Sequence, residues 1–389
     1  MVAWVPHILG QQVTARYFPE KQHYLVGEPI SVVFEIVNNS SRAVEITGSN
    51  CRYFRSNEFE VDGASPKRPI ELYGCAEKII AGSCLQSVRK IQPHSRFRDR
   101  LLLEGAFELN SPRTHHIRAK HATRVDKRGA DDGVDLSGAS EFDVDLRAPK
   151  PGELETAYQP FFEGLTSRDP LVQHLAASAV VQNPPSFAET VILKFADDLS
   201  VSSLLAHDAV DGLQRLATPA ARRKLLEMAS TTASEFVRQP AIEALGKIGN
   251  PEDCEAMLAI AGASKNYTQS LTYIVAGRIC KERALLPLTS LVGAGDSQLL
   301  VGVTGGLVNT SSRNAVPPLI TLLQNPDPGT RRNAEAGLAT LTHRKSGYGI
   351  EEEAAANQSH TEWLKWWSVN ATTAPLYGSD QCMATQPLF

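Results

Sequence analysis

Apolar positions change their period once along the chain. Up to about residue 148 they alternate, and beyond it they recur every three to four residues. Ile30, Val32, Phe34 and Ile36 occupy every second position of a β-branched and aromatic run, the period of a strand with one buried face. Asn38 to Ser41 is a turn signal, and Ala43 to Ile46 returns as a partner strand. Further strand candidates are Val13 to Phe18, Phe59 to Val61, Leu85 to Ile91, Phe97 to Leu103, His116 to Val125 and Phe142 to Leu146. Asp62-Gly63, Ser65-Pro66 and Gln92-Pro93 punctuate them. Many short strands without a helical period predict a β-sandwich over residues 12–148. Residues 1–11 read as a disordered terminus or the remnant of a signal peptide, since the apolar scrap lacks a charged n-region. The polar, Gly-rich stretch Asp126 to Gly138 reads as a long hairpin loop, and its Asp131, Asp132 and Asp135 lack the spacing of a calcium loop.

Arg147-Ala148-Pro149-Lys150-Pro151-Gly152 stops the last strand, and 149–152 is the linker. Helical periodicity then runs over 153–343 and repeats itself. Val181, Leu213 and Leu245 are 32 residues apart, Leu307 lies two units on, and Leu338 follows 31 later. A compact residue stands four before each of these anchors: Ala177, Ala209, Ala241, Val303 and Ala334. Small residues at that spacing let a neighbouring helix approach closely. The unit near Val275-Ala276 fits loosely. A second ladder, Leu193, Leu225, Met257, Leu288 and Leu319, keeps the same period of 31 to 32. Two ladders with one period predict an α-solenoid of about six helix–turn–helix units. Residues 344–389 follow as a capping segment in which Trp363, Trp366 and Trp367 share one helical face. Bulky aromatics there suit the open end of a last repeat, and the alternative is an aromatic platform for a ligand.

The segments Val237 to Gly249 and Arg331 to Thr342 resemble HEAT repeats, including Arg238 and Arg331, each seven residues before its anchor leucine. Tyr24-Leu25-Val26-Gly27-Glu28-Pro29, with the strand after it and Asn38, resembles the opening of immunoglobulin-like domains in bacterial cell-envelope proteins. The two resemblances imply a multidomain chain, all-β then all-α: an immunoglobulin-like sandwich followed by a HEAT-type, armadillo-like solenoid with an aromatic C-terminal cap. The first implies a scaffold for contacts, the second a binding or spacer module, and neither implies an activity.

Composition narrows the function classes. Net charge is -4, and residues 151–343 carry nineteen acidic against fifteen basic side chains, which disfavours a nucleic-acid groove. No apolar run is long enough for a transmembrane helix. No Gly-x-Ser-x-Gly, Walker-type loop, Gly-x-Gly-x-x-Gly or His-Glu-x-x-His occurs, so no catalytic residue, metal ligand or cofactor is assigned. Iron-dependent hydroxylases of HEAT build use repeated His-Glu pairs, and the chain has none. His115, His116 and His121 sit on a basic strand and split between its two faces, which reads as a solvated sheet rather than a metal site.

Cys254 begins one helix and Cys280 ends its antiparallel partner, so a bridge between them is feasible, and Cys51, Cys75 and Cys84 are candidates for pairing in the sandwich. Such bridges imply a periplasmic or secreted protein; a cytoplasmic one with free thiols is the alternative. Candidate protein-contact residues are Tyr267 and Tyr273 in the loosely fitting unit, Arg332, and Trp363, Trp366 and Trp367. The expectation is a non-catalytic scaffold of the bacterial cell envelope, monomeric, binding a protein or peptide through the concave face of the solenoid. Its alternatives are an enzyme with an atypical site at the domain junction and a proteinase-inhibitor-like regulator acting through the sandwich loops.

Overall fold

The computed structural model describes residues 12–49, 59–64, 86–103, 107, 109–126, 134–198, 203–231, 234–344 and 350–377. The chain divides into two compact units, with the boundary among the helices falling between Val191 and Ile192.

The first unit holds two sheets. β1 (Val13–Pro19), β3 (Ser31–Asn38) and β7 (Ser95–Leu102) form the smaller, in the order β1-β3-β7. The larger runs β2-β9-β8-β4-β6, from β2 (His23–Leu25), β9 (Val134–Arg147), β8 (Thr114–Asp126), β4 (Val44–Ser49) and β6 (Gln86–Ile91), with β5 (Phe59–Val61) beside β8. Tyr17, Ile30 and Val32 from one side meet Ile117, Ala119, Val144 and Leu146 from the other in one buried cluster. That alternation is what closes the two sheets on each other. The β8–β9 hairpin is longer than its polar composition suggests. Val134 to Gly138, expected as loop, pair with Val125 to His121 as strand. The strand end forms there because its partner strand supplies the backbone hydrogen bonds.

The first two helices, α1 (Glu153–Gly164) and α2 (Pro170–Gln182), belong to this same unit. Tyr158 on α1 is 1% exposed, and its hydroxyl donates to Gly27 O at 3.0 Å. Gly27 has φ 88°, a conformation that a side chain would strain, so the Gly-Glu-Pro step is built for this contact. Arg147 and the amide of Lys150 both bind the Glu153 carboxylate, which holds its pKa at about 2 and locks the linker to the first helical turn.

In the second unit helices succeed one another in pairs. α3 (Glu189–Asp198) and α4 (Ser203–Leu216) are followed by α5 (Pro219–Thr231) and α6 (Glu235–Ile248). Next come α7 (Cys254–Ala263) and α8 (Asn266–Cys280), then α9 (Glu282–Thr289) and α10 (Ser297–Thr310), then α11 (Val316–Leu322) and α12 (Pro328–Thr342). The anchors Leu213, Leu245, Leu307 and Leu338 are all fully buried, as are Leu225, Met257, Leu288 and Leu319 of the second ladder. Gly249 ends α6 at φ 67°, and the Asn250 side chain accepts from the Glu252 amide to start the next turn.

The unit that fits the repeat loosely has a physical reason to do so. At α8 the anchor leucine is replaced by Ala276, because α8 and α10 meet backbone to backbone. A Cβ on Gly277 would lie 2.1 Å from Gly306 O, and one on Gly302 would lie 2.4 Å from Ser270 Cα. Leucine at the anchor would hold these helices apart. On the other side of α8, Cys254 and Cys280 have Cα atoms 4.9 Å apart, within reach of a disulfide, and their sulfurs are joined. Cys51, Cys75 and Cys84 lie outside the described residues.

The last pair is closed by α13 (Glu353–Asn370). Trp363 is fully buried and its Nε1 donates to Glu335 Oε2 at 2.9 Å. Arg331, 5% exposed, donates to the carbonyls of Asn325, Pro326, Ile350 and Glu351. One arginine thereby fastens the incoming segment of α13 to the repeat before it. Arg313 does the same downstream, through Ala371 O and Ala374 O, and His343 stacks on Tyr377 at 3.4 Å.

Candidate functional site

The second helices α4, α6, α8 and α10 present aligned side chains at the repeat spacing. Asp211 on α4 and Glu243 on α6 are 32 residues apart. One turn on, Arg215, Lys247, Arg278 and Asn309 follow at 32, 31 and 31. α4 and α6 therefore each contribute an acid and a base, α8 a base and α10 a neutral amide, because i and i+4 lie on one helical face. At the N-terminal ends of α6 and α8, Phe236 and Tyr267 occupy equivalent positions 31 apart and are 70% and 55% exposed.

These groups share one surface. Glu243, Gly246, Lys247, Val275, Arg278 and Asn309 line a shallow cleft of about 10 Å³, room for about one water. The charge of Glu243 is felt at Lys247 and at the Tyr267 hydroxyl, and that of Asp211 at both Arg215 and Lys247. Gly246 lets α8 lean in, since a Cβ there would meet the Val275 methyls at 3.1 Å. Asn309 Nδ2 donates to Ile274 O at 2.9 Å and so ties α10 to the rim.

Electrostatically the cleft is unsatisfied. Burial pushes the carboxyl of Glu243 up, against the pull of Lys247. Burial pushes the Lys247 ammonium down, although Glu243 and Asp211 favour its charged form. Asp211 protrudes further, yet partial loss of water raises its pKa too. No hydrogen bond or ion pair within 4 Å joins Glu243 or Lys247 to a described residue. Half-buried charges without close partners cost stability, and they mark surfaces that another molecule completes. The face offers three cations, two anions and the exposed rings of Phe236 and Tyr267. It is suited to holding a polar backbone or a charged side chain beside an apolar one.

The residues singled out from sequence fall in different places. Tyr267 stands at the edge of this cleft. Tyr273 is 7% exposed, packed in the α8–α10 contact, and offers no surface to a partner. Its backbone carbonyl would lie 2.7 Å from a Cβ on Gly306, so it is part of the close helix approach. Arg332 is exposed and forked onto Glu351 at 2.8 and 2.9 Å. Trp363 is interior, whereas Trp366 and Trp367 are half-buried beside it, with the Arg344 guanidinium above Trp363 and Trp366. His116 pairs with Asp143 at 2.8 Å on a solvated sheet face, and His115 is buried on the opposite side. Phe236, Glu243, Lys247 and Arg278 were not singled out. Their signal lies in the polar residues: the same 31–32 period that orders the leucines also orders the charges one helical face away.

No curated protein matches the chain in sequence. The solved structure of human deoxyhypusine hydroxylase in complex with glycerol resembles it at 18% identity and a TM-score of 0.29, over 56% of this chain and 97% of that one. The family model for HEAT repeats matches residues 190–272, the segment that carries α4, α6 and the first half of α8.

Proposed function

We propose that the protein is a non-catalytic scaffold of the bacterial cell envelope that binds a protein or peptide across the second-helix face of its HEAT solenoid. The observation that carries this reading is the pair Glu243 and Lys247, half-desolvated and without a close partner among the described residues, on the face that also carries the exposed Phe236 and Tyr267. A partner segment crossing α6 and α8 would meet a charged group or an aromatic ring at each repeat. The Cys254–Cys280 bridge supports an oxidising compartment, periplasmic or secreted. The two-sheet unit then serves as an immunoglobulin-like companion module.

A photo-crosslinking side chain at Tyr267 in the full-length protein tests the reading in envelope extract. The expected result is a discrete adduct that disappears when Glu243→Lys and Lys247→Glu are combined. The same pattern of adducts from a probe at Leu286, 80% exposed on α9, would count against it.

A further inference from the structure

We infer that the arginine-bearing face of the three-stranded sheet is a second docking surface, for an extended acidic segment of another protein with carboxylates at alternate residues. Strand register builds this face. Arg16 lies opposite Glu35, which lies opposite Arg98, and Phe18 lies opposite Val33, which lies opposite Arg100. Arg96 follows in the next row, against Val37. Directly opposed residues point to one side of a sheet, so four guanidinium groups share it with Glu35 and Phe18.

One carboxylate organises them. Glu35 is 1% exposed and accepts from Arg16 Nε and Nη2 at 3.1 and 2.7 Å and from Arg98 Nε at 2.6 Å. Arg96 stands 3.8 Å from the same carboxylate. The Arg16 and Arg98 guanidinium groups also lie over the Phe18 ring, at 5.1 and 5.9 Å. Burial alone opposes the Glu35 charge, but these hydrogen bonds outweigh it and hold its pKa below the ordinary carboxylate range. Arg16 and Arg98 already satisfy both oxygens of the buried glutamate. Among the described residues four arginines face two carboxylates, Glu35 and the Glu20 that pairs with Arg100 at 2.8 Å. The surplus is positive, and the arginine side chains remain 51 to 65% exposed.

The spacing selects the occupant. Arg96, Arg98 and Arg100 are alternate residues of one strand, so their stems stand about 6.7 Å apart. Carboxylates at alternate residues of an extended peptide have that same repeat. Because Glu35 takes the Nε edge of Arg98, the Nη edge stays outward, and arginine presents its fork to carboxylates there. Glu35 and Phe18 already restrain the arginine side chains, which lowers the ordering cost on binding. No exposed large hydrophobic side chain among the described residues lies on this face, so it has nothing to insert into a bilayer.

The test uses the full-length protein and labelled synthetic peptides of about ten residues, long enough to span the three arginines. An alternating Glu-Thr peptide is compared with a block isomer of the same composition and with an alternating Lys-Thr peptide. Fluorescence anisotropy should show the alternating acidic peptide binding about tenfold tighter than its block isomer, and weakening as salt is raised. The paired change Arg96→Gln with Arg100→Gln keeps the Arg16–Glu35–Arg98 pairing, and so the fold. It should cost about tenfold in affinity, with the thermal midpoint held. Equal binding of the two acidic isomers, tighter binding to phosphatidylglycerol vesicles than to either, or no binding at all would overturn the inference. So would self-association abolished by the paired change, because the acidic partner would then be Glu141, Asp143 and Asp145 of a second copy.

Discussion

On the three-stranded sheet, Glu35 has lost its water and gained two guanidinium partners. On the face of α4, α6 and α8, Glu243 and Lys247 have lost much of theirs and gained no close partner among the described residues. The contrast separates two uses of charge. A buried carboxylate that is fully paired stabilises its own fold, and whatever it organises above it is a second matter. Half-buried charges left apart lower stability and are tolerated where a partner completes them. Tyr267 sharpens the difference. An exposed ring on the loosely fitting repeat stands near enough to Glu243 to feel its charge, while Phe18 on the sheet is already covered by arginines.

The largest expected effect concerns the framework beneath the helix face. Gly277→Ala forces α8 away from α10, because its Cβ would strike Gly306 O, and should cost about 3 kcal/mol. Denaturation followed by the fluorescence of Trp363, Trp366 and Trp367 measures it, and an unchanged midpoint would show that the helices do not meet as described. Replacing Cys254 and Cys280 together by serine should also cost about 3 kcal/mol, through the freed unfolded chain, and should make the unfolding midpoint of the helical unit insensitive to reductant. A midpoint already insensitive to reductant in the parent protein would contradict the bridge.

Smaller changes bear on the comparison itself. Glu35→Gln should destabilise the two-sheet unit by about 2 kcal/mol at neutral pH, read by hydrogen exchange of β3 amides. The sign follows from a folded-state pKa held below the unfolded one. The contribution is present above the unfolded value and is lost as pH falls through the folded value, so parent and variant should converge in acid. Glu243→Gln should do the opposite. Its folded-state pKa is raised, so the ionised form costs stability at neutral pH, and its removal should leave the thermal midpoint equal or higher.

Much of the fold is legible in the leucine ladders, because a period of 31 to 32 residues cannot survive unless each unit packs like its neighbour. The strands at Phe59–Val61 and Val13–Pro19 are legible for the same reason at a period of two. What escapes is set by distant partners. Val134 to Gly138 becomes strand only because β8 runs alongside, and α1 joins the two-sheet unit only through contacts such as Tyr158 to Gly27. The cleft escapes for another reason. Glu243 and Lys247 read as an ordinary solvated helix pair until Gly246 brings Val275 close enough to take their water away. Tyr273 misleads in reverse, an aromatic whose irregular position reflects the glycine contact rather than a surface.

The most direct measurement pairs stability with contact in one variant. Glu243→Gln combined with Lys247→Met removes both desolvated charges without adding bulk. If the second-helix face is the binding surface, the thermal midpoint stays equal or rises, and the adduct formed from a crosslinker at Tyr267 is lost. A midpoint lowered by several degrees, or a crosslink that survives undiminished, would contradict it.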